Sequence, residues 1–414
     1  MNRVVVTGLG VVSPLGIGVE TFWEGMLAGK SGIGPIDTFD ATKHKTHFAG
    51  LVRDFNPEEQ FGKKEARKMD RFTQFGLAAA EEALADSGLQ LEQLDRERLA
   101  VYVGSGIGGL QTLQDNEGQL RQRGPGRVSP LLVPMMIANM AAAQISIRLG
   151  SLGPTLAPVT ACSVGNTAIG EAFRLIRGGW ADVVFAGGSE AAVTDIALAG
   201  FGNATAISTR NEEPQRASRP FDSGRDGFVM SEGAGIMVLE SLEHAQSRGA
   251  RIYAEVVGYG ATSDAYHIVA TPPDGDGAYR AMKLALQEAG LAPADVDVIS
   301  AHATSTEVGD SSEASAIRRL FAADGQQTPA VTATKSMLGH MLGASGGAQA
   351  IALAKGLQEG VITPTINYEQ PDPACGDLDI VAGEARRANI KVGLTNSFGF
   401  GGHNAVIAMR KFEE

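Results

Sequence analysis

The 414 residues are 43% hydrophobic and 20% charged with a formal net charge of −12, a globular composition whose acidity excludes a broad nucleic-acid or anionic-membrane surface. The length exceeds what one hydrophobic core usually serves, so two cores or two fused halves are expected. Two cysteines, Cys162 and Cys375, cannot staple a chain of this size, no apolar run approaches the roughly 20 residues of a membrane span, and MNRVVVTGLG lacks a secretory layout; a cytoplasmic protein in a reducing compartment is expected.

Short β-branched runs alternate with longer Ala-rich amphipathic segments. Strands are expected at 3–7, 99–103, 183–186, 236–239, 251–257, 296–300, 330–333 and 406–409, and helices at 69–87, 138–149, 167–178, 277–289, 310–321 and 344–358. This alternation indicates an α/β protein with buried strands. The best boundary lies near 248–252, where SRGAR closes a basic helix end before a new strand. VVVTGLGVVSP at the start and AEVVGYGATSD at 254–264 both run from a strand into a Gly-x-Gly turn. Taken alone, that echo is weak support for a duplication.

Early in the chain, KKEARKMDRF gathers Lys63, Lys64, Arg67, Lys68 and Arg71 into a local basic patch on an acidic protein. Further on, VYVGSGIGGL places Gly104, Gly106 and Gly109 after a strand, matching the dinucleotide fingerprint. That fingerprint needs a helix opening at once and an acidic residue ending the next strand. A polar stretch, QTLQDNEGQLRQRGPGR, follows instead, so nicotinamide binding is set aside.

Four segments carry candidate chemistry. In PTLAPVTACSVGNTAIGEAFRLI, Cys162 falls at a strand-to-helix turn. Unpaired N–H groups at a helix start favour a thiolate and are expected to lower its pKa; the competing account is a buried cysteine acting as a small hydrophobe. In ISAHATSTEVGDSSEASAI, His302 follows a strand amid Thr304, Ser305 and Thr306, with Glu313 on the next helix. VTATKSMLGHMLGASGGAQAI puts Lys335 and His340 on one strand-to-helix connection. NSFGFGGHN alternates Phe398 and Phe400 with Gly399, Gly401 and Gly402, a loop able to cradle phosphate or to present N–H groups as an oxyanion hole.

TAC, HATST, KSMLGH and NSFGFGGHN, with VVVTGLGVVSPLG and RPFDSGRDGFVMSEGAG, span essentially the whole chain. In this order and spacing they resemble the β-ketoacyl-[acyl-carrier-protein] synthases of the type I/II group, most nearly the elongation enzymes. The resemblance implies a thiolase-like α/β fold, with duplicated halves at 1–250 and 251–414 in a layered αβαβα arrangement, dimerised through the first half. It implies that Cys162 accepts an acyl group from the phosphopantetheine arm of acyl carrier protein, with N–H groups of Cys162 and Phe400 as oxyanion hole. His302 and His340 would bind the malonyl thioester and promote its decarboxylation. Lys335, its charge held by Glu313, would orient them electrostatically. Thr304, Thr306, Phe398, Phe201 and Ile107 would contact substrate, the last two lining the acyl pocket, while Phe400 gates it. Lys64, Arg67 and Lys68 would dock the carrier. No metal or cofactor is required.

Several positions depart from the family pattern. Ala303 and Glu307 stand where glycine and proline are common, Gln349 replaces a glutamate, and Thr205 replaces a basic residue. Were positive φ required at 303, alanine would cost about 1 kcal/mol or more, so negative φ is expected there. A ketosynthase of a polyketide pathway would use the same motifs. A degradative thiolase would carry a second cysteine near the C-terminal loop, a type III synthase would pair one histidine with asparagine, and a non-catalytic chain-length subunit would lose Cys162.

Overall fold

A computed structural model describes residues 1–322 and 327–413. Most of the expected elements form, usually with greater extent. The strands are β1 (Val4–Ser13), β2 (Leu99–Gly104), β3 (Thr155–Leu156), β4 (Val183–Glu190), β5 (Gly233–Ser241), β6 (Ala254–Ser263), β7 (Val298–Ser300), β8 (Ala330–Thr332), β9 (Asp379–Ile380), β10 (Val392–Gly399) and β11 (His403–Arg410). The helices that matter for the site are α1 (Arg71–Ser87), α2 (Leu110–Arg123), α3 (Met140–Leu149), α4 (Val164–Arg177), α5 (Asp195–Asn203), α6 (Asp276–Ala289), α7 (Glu307–Phe321) and α8 (Ser345–Glu359).

The strands follow the order β3-β2-β4-β5-β1-β6-β11-β10-β7-β8-β9. At the middle, β1 and β6 pair antiparallel, from Val4 opposite Val256 to Val6 opposite Ala254. Outward from that seam, each half repeats one plan. β1 is antiparallel to β5 and β5 to β4, after which β4, β2 and β3 run parallel. Likewise β6 is antiparallel to β11 and β11 to β10, after which β10, β7 and β8 run parallel, with β9 added at the edge. The two Gly-x-Gly echoes, expected as turns, instead lie inside β1 and β6, the equivalent first strands of the halves.

Helices α1 and α3 cover the outer face of the first half, and α6 covers that of the second. Between them α4 and α8 pack on each other and on strands of both halves, giving five layers. Each interval has its own core. Val4, Ile169, Phe173, Ile351 and Met409 lie in the middle, Phe72, Phe75, Val101 and Phe185 beneath α1, and Met282, Ile299, Ile317 and Val406 beneath α6 and α7. A central helix must be apolar on nearly every side, which explains why α8 reads SGGAQAIALAKGLQE and buries every residue from Ser345 to Ala354. It crosses α4 where a Cβ on Gly165 would fall 2.4 Å from the Gly347 nitrogen. Only glycine permits that approach, and it brings the starts of α4 and α8 together.

Two expectations fail. Residues 111–123 are not an irregular polar stretch but most of α2, a helix that buries only Thr112 and so shows no apolar periodicity. Residues 392–399 form β10, a core strand; the glycine-rich loop shrinks to a hairpin turn with Gly401 and Gly402 at φ 84° and 77°. Among the described residues, no helix is long and apolar enough to cross a membrane.

Candidate active site

The turns after β7 and β10, the segments preceding α4 and α8, and the C-terminal part of α5 converge on a cavity of about 590 Å³. Its wall includes Cys162, His302, His340, Phe398, Phe400, Thr304, Thr306, Phe201, Ile107 and Glu313. Residues widely separated in the chain therefore meet at one place, with Lys335 buried behind it.

Cys162 sits in the 3-10 turn Ala161–Ser163 that leads directly into α4. Ala161 before it has φ +50°, and Ser163 ties the turn down by donating to the Thr160 carbonyl at 2.7 Å. The backbone N–H groups of Phe400 and of Cys162 itself favour the thiolate, as does the Lys335 cation. Strand β10 gets this close because residue 399 is glycine: a Cβ there would lie 2.6 Å from the Thr160 oxygen. The expected lowering of the thiol pKa is overturned. Burial pushes Cys162 up to about 12, outweighing the Lys335 cation and both N–H groups, so the resting residue is a thiol.

His302 and His340 lie ring edge to ring face, with centroids 5.5 Å apart. Burial holds both imidazoles well below the usual histidine range, and the Lys335 cation adds to the effect, so both are neutral. His340 Nδ1 faces the Ser345 hydroxyl at 3.0 Å. Its backbone is held by Val229 and Ser231, its N–H donating to the Val229 carbonyl at 2.7 Å. Phe228 packs edge-on against its ring at 5.4 Å, as Phe398 packs on His302 at 5.5 Å.

The expected contact between Lys335 and Glu313 is not formed. Lys335 Nζ donates instead to Gln349 Oε1 at 2.5 Å. Gln349 Nε2 in turn donates to the carbonyls of Ala301 at 3.0 Å and Asn396 at 3.4 Å. The substituted glutamine thus bridges the lysine to the strand ends carrying His302 and Phe398. Glu313 instead shapes the loop after β7. Its carboxylate accepts the N–H groups of His302 and Ala303 at 2.9 and 2.7 Å and the Asn396 amide at 2.9 Å. It reaches Lys335 only through its field. Burial brings the lysine down to about 8 against the opposing charges of Glu313 and Asp310.

The conformation expected at residue 303 is also corrected. Ala303 has φ +32° and Ser305 +70°. Glu313 collects two successive N–H groups while Asp310 takes that of Ser305 at 3.1 Å, and the carboxylates of α7 wind the loop into this shape despite the Cβ. The same loop places the Thr304 and Thr306 hydroxyls 3.0 Å apart.

Phe201, on α5, faces Phe400 with ring centroids 6.4 Å apart, and Ile107 and Thr205 reach the same cavity. Lys64, Arg67 and Lys68 are exposed on and just after the short helix Lys63–Ala66. Arg67 and Lys68 have acidic neighbours, Glu58 at 3.8 Å and Glu65 at 2.8 Å. Arg71 leaves the patch to pair with buried Glu232 at 3.0 Å and lie over Phe75.

The glycine fingerprint needs a second correction. Helix α2 does open at once after Gly109, yet the N–H groups of Gly106 and Ile107 go to the buried Glu190 carboxylate at 2.8 and 3.2 Å. An internal anion occupies the place a pyrophosphate would need. Sequence reasoning also missed Phe228 and Ser345. Each lies in a quoted stretch, RDGFVM and LGASGG, but only tertiary packing turns them toward His340.

Models of the beta-ketoacyl synthase N-terminal and C-terminal domains match residues 1–245 and 253–369. The chain belongs to the beta-ketoacyl synthase family. The 3-oxoacyl-[acyl-carrier-protein] synthase 2 of Staphylococcus aureus (strain COL) is 50% identical over 412 residues, covering 100% of this chain and 99% of the relative. The protein of the same description from Synechocystis is 49% identical with the same coverage. Among solved structures, a beta-ketoacyl synthase from Burkholderia phymatum superposes with a TM-score of 0.93 at 34% identity, covering 100% of both chains. The ishigamide ketosynthase/chain length factor does so at 0.92 and 38%, again over 100% of both. A type II PKS ketosynthase, solved with its acyl-carrier protein, reaches 0.92 at 35% identity over 99% of this chain and 100% of that one.

Proposed function

We propose that the protein catalyses decarboxylative Claisen condensation in fatty-acid elongation, joining an acyl group on Cys162 to malonyl-acyl carrier protein. One observation carries this reading: a buried thiol at the start of a helix shares a cavity with two neutral imidazoles whose ring centroids lie 5.5 Å apart.

In the first half-reaction the Cys162 sulfur attacks the thioester carbonyl of an acyl carrier. The N–H groups of Cys162 and Phe400 hold the tetrahedral oxyanion, and the thiol proton ends on the departing pantetheine sulfur. In the second, the malonyl C–COO⁻ bond breaks and CO2 leaves. Its electron pair becomes an enolate whose oxygen accepts N–H from His302 and His340. With the Ser345 hydroxyl donating to His340 Nδ1, the ring proton rests on Nε2, where the enolate needs it. The enolate carbon attacks the acyl-Cys162 carbonyl, and the sulfur leaves as a thiolate that takes up a proton from water. The product is a β-ketoacyl carrier two carbons longer.

Thr304 and Thr306 serve the pantetheine amides, Phe398 flanks the reacting thioester, Phe400 gates the acyl pocket, and Phe201 and Ile107 line it. The basic surface of Lys64, Arg67 and Lys68 docks the acidic carrier. Edge strand β3, with Leu156 in it and Leu152 and Val159 flanking it, is exposed. An open apolar sheet edge favours pairing with a second copy, which supports a homodimer; each chain has halves 1–250 and 251–414 and works in the cytoplasm. Mixing purified protein with acyl-carrier and malonyl-carrier substrates should give a β-ketoacyl carrier product by mass. No product, or undiminished product from Cys162→Ala, would overturn the proposal.

A further inference from the structure

Glu190 ends β4 with no solvent exposure, and among the described residues it has no ion-pair partner within 4 Å. Its carboxylate instead collects four donors. Oε1 accepts from the Ser105 hydroxyl at 2.6 Å and the Ile107 N–H at 3.2 Å, and Oε2 from the N–H groups of Gly106 at 2.8 Å and Gly343 at 3.1 Å. The Ser105 oxygen accepts in turn from the Gly108 N–H at 2.9 Å. A buried carboxylate is costly unless its lone pairs are filled, and here three backbone donors would be orphaned without it.

The donors come from two loops that are far apart in sequence. Residues 105–108 follow β2 and put Ile107 on the cavity wall; residues 342–344 follow His340 and put Leu342 there. Both flank the turn bearing Cys162. The loops touch so closely that a Cβ on Gly343 would lie 2.6 Å from the Gly106 nitrogen. Leu342 is itself held at φ +47°, a conformation that needs external restraint.

Building on the condensation reading, we propose that Glu190 is a positioning residue for acyl-chain selectivity: it clamps the Ile107 loop to the Leu342 segment and so fixes the pocket wall beside Cys162. Its charge has a second consequence. Burial raises the Glu190 pKa against the pull of its four donors, and in its ionised form it opposes the Lys335 cation at Cys162 and favours the thiol over the thiolate.

Two variants separate the clamp from general structural damage. Glu190→Gln removes the charge and turns an amide toward N–H donors, while Ser105→Ala removes one donor and keeps the charge. For each, kcat/KM is measured across saturated acyl-carrier substrates from short to long, alongside thermal unfolding. Alkylation of Cys162 by iodoacetamide at fixed pH is followed by peptide mass, which separates it from Cys375. Both variants should change the long-to-short selectivity ratio by about fivefold or more, and malonyl-carrier decarboxylation by Ser105→Ala should stay within about threefold. Glu190→Gln should be alkylated several-fold faster and Ser105→Ala at the wild-type rate, since only the first removes the opposing charge. Equal loss at every chain length, or an unchanged ratio in both variants, would overturn the proposal. Should Glu190→Gln fail to fold, the Ser105→Ala ratio decides alone. Absence of wild-type condensation product would overturn the parent reading instead.

Discussion

The rings of His302 and His340 cross at 86°, with centroids 5.5 Å apart. Glu313 fixes the backbone at 302, and Val229 and Ser231 fix it at 340. Two neutral donors converging on one enolate oxygen should act as a unit. Alanine at either position is expected to slow malonyl-carrier decarboxylation by about 10²–10³-fold, and the double variant should lose little more. Acyl transfer to Cys162, followed by intact mass, should survive within about tenfold. A single variant of normal decarboxylation rate would contradict this account.

The charge states set a pH profile. The imidazoles are held well below 6.5 and stay neutral through mildly acidic solution, whereas Lys335 loses its proton above about 8. Its cation is present below that value and lost above it. Decarboxylation, measured in Cys162→Ala so that thiol ionisation does not intrude, should be level across the neutral range and fall as pH rises through about 8. Lys335→Met should be slow and flat across the same range. An acidic limb near 6.5 would argue that a histidine titrates in the open.

Gln349→Glu tests the bridge. A carboxylate beside Lys335 Nζ raises the lysine's pKa, so the basic limb should move to higher pH. The glutamate also lacks the amide N–H groups that reach Ala301 and Asn396, so urea unfolding should show a loss of about 1–3 kcal/mol. An unmoved limb would show that the field of Glu313, rather than residue 349, governs Lys335.

Charge reversal at Lys64 and Arg67 addresses the carrier. Both side chains are exposed and neither touches the cavity wall. Steady-state kinetics at low salt should show carrier KM rising about tenfold with kcat within about twofold. A falling kcat at constant KM would argue against this surface.

What the sequence revealed, and what it hid, divides along physical lines. Cys162, His302 and His340 were legible because each follows a strand within a distinctive short motif, and α1, α6 and α8 because their apolar positions recur. Helix α2 was hidden because it buries one residue, and β10 because its middle, Thr395, Asn396 and Ser397, is polar although fully buried. The partner of Lys335 was hidden for another reason. Glu313 and Gln349 both lie on helices near the site, and only the placement of α8 between the half-sheets puts the amide at the ammonium. Ala303 shows the same limit: a propensity rule gave negative φ, and three hydrogen bonds to α7 carboxylates gave +32°.

The chain has two thiols, Cys162 and Cys375, both buried, of which only Cys162 reaches the cavity. Intact and peptide mass of the protein after incubation with acyl carrier alone, and again after malonyl carrier is added, tests the central claim most directly. One acyl group should appear on Cys162 and then disappear as β-ketoacyl carrier forms. An adduct on Cys375, no adduct, or an adduct that malonyl carrier does not discharge would contradict it.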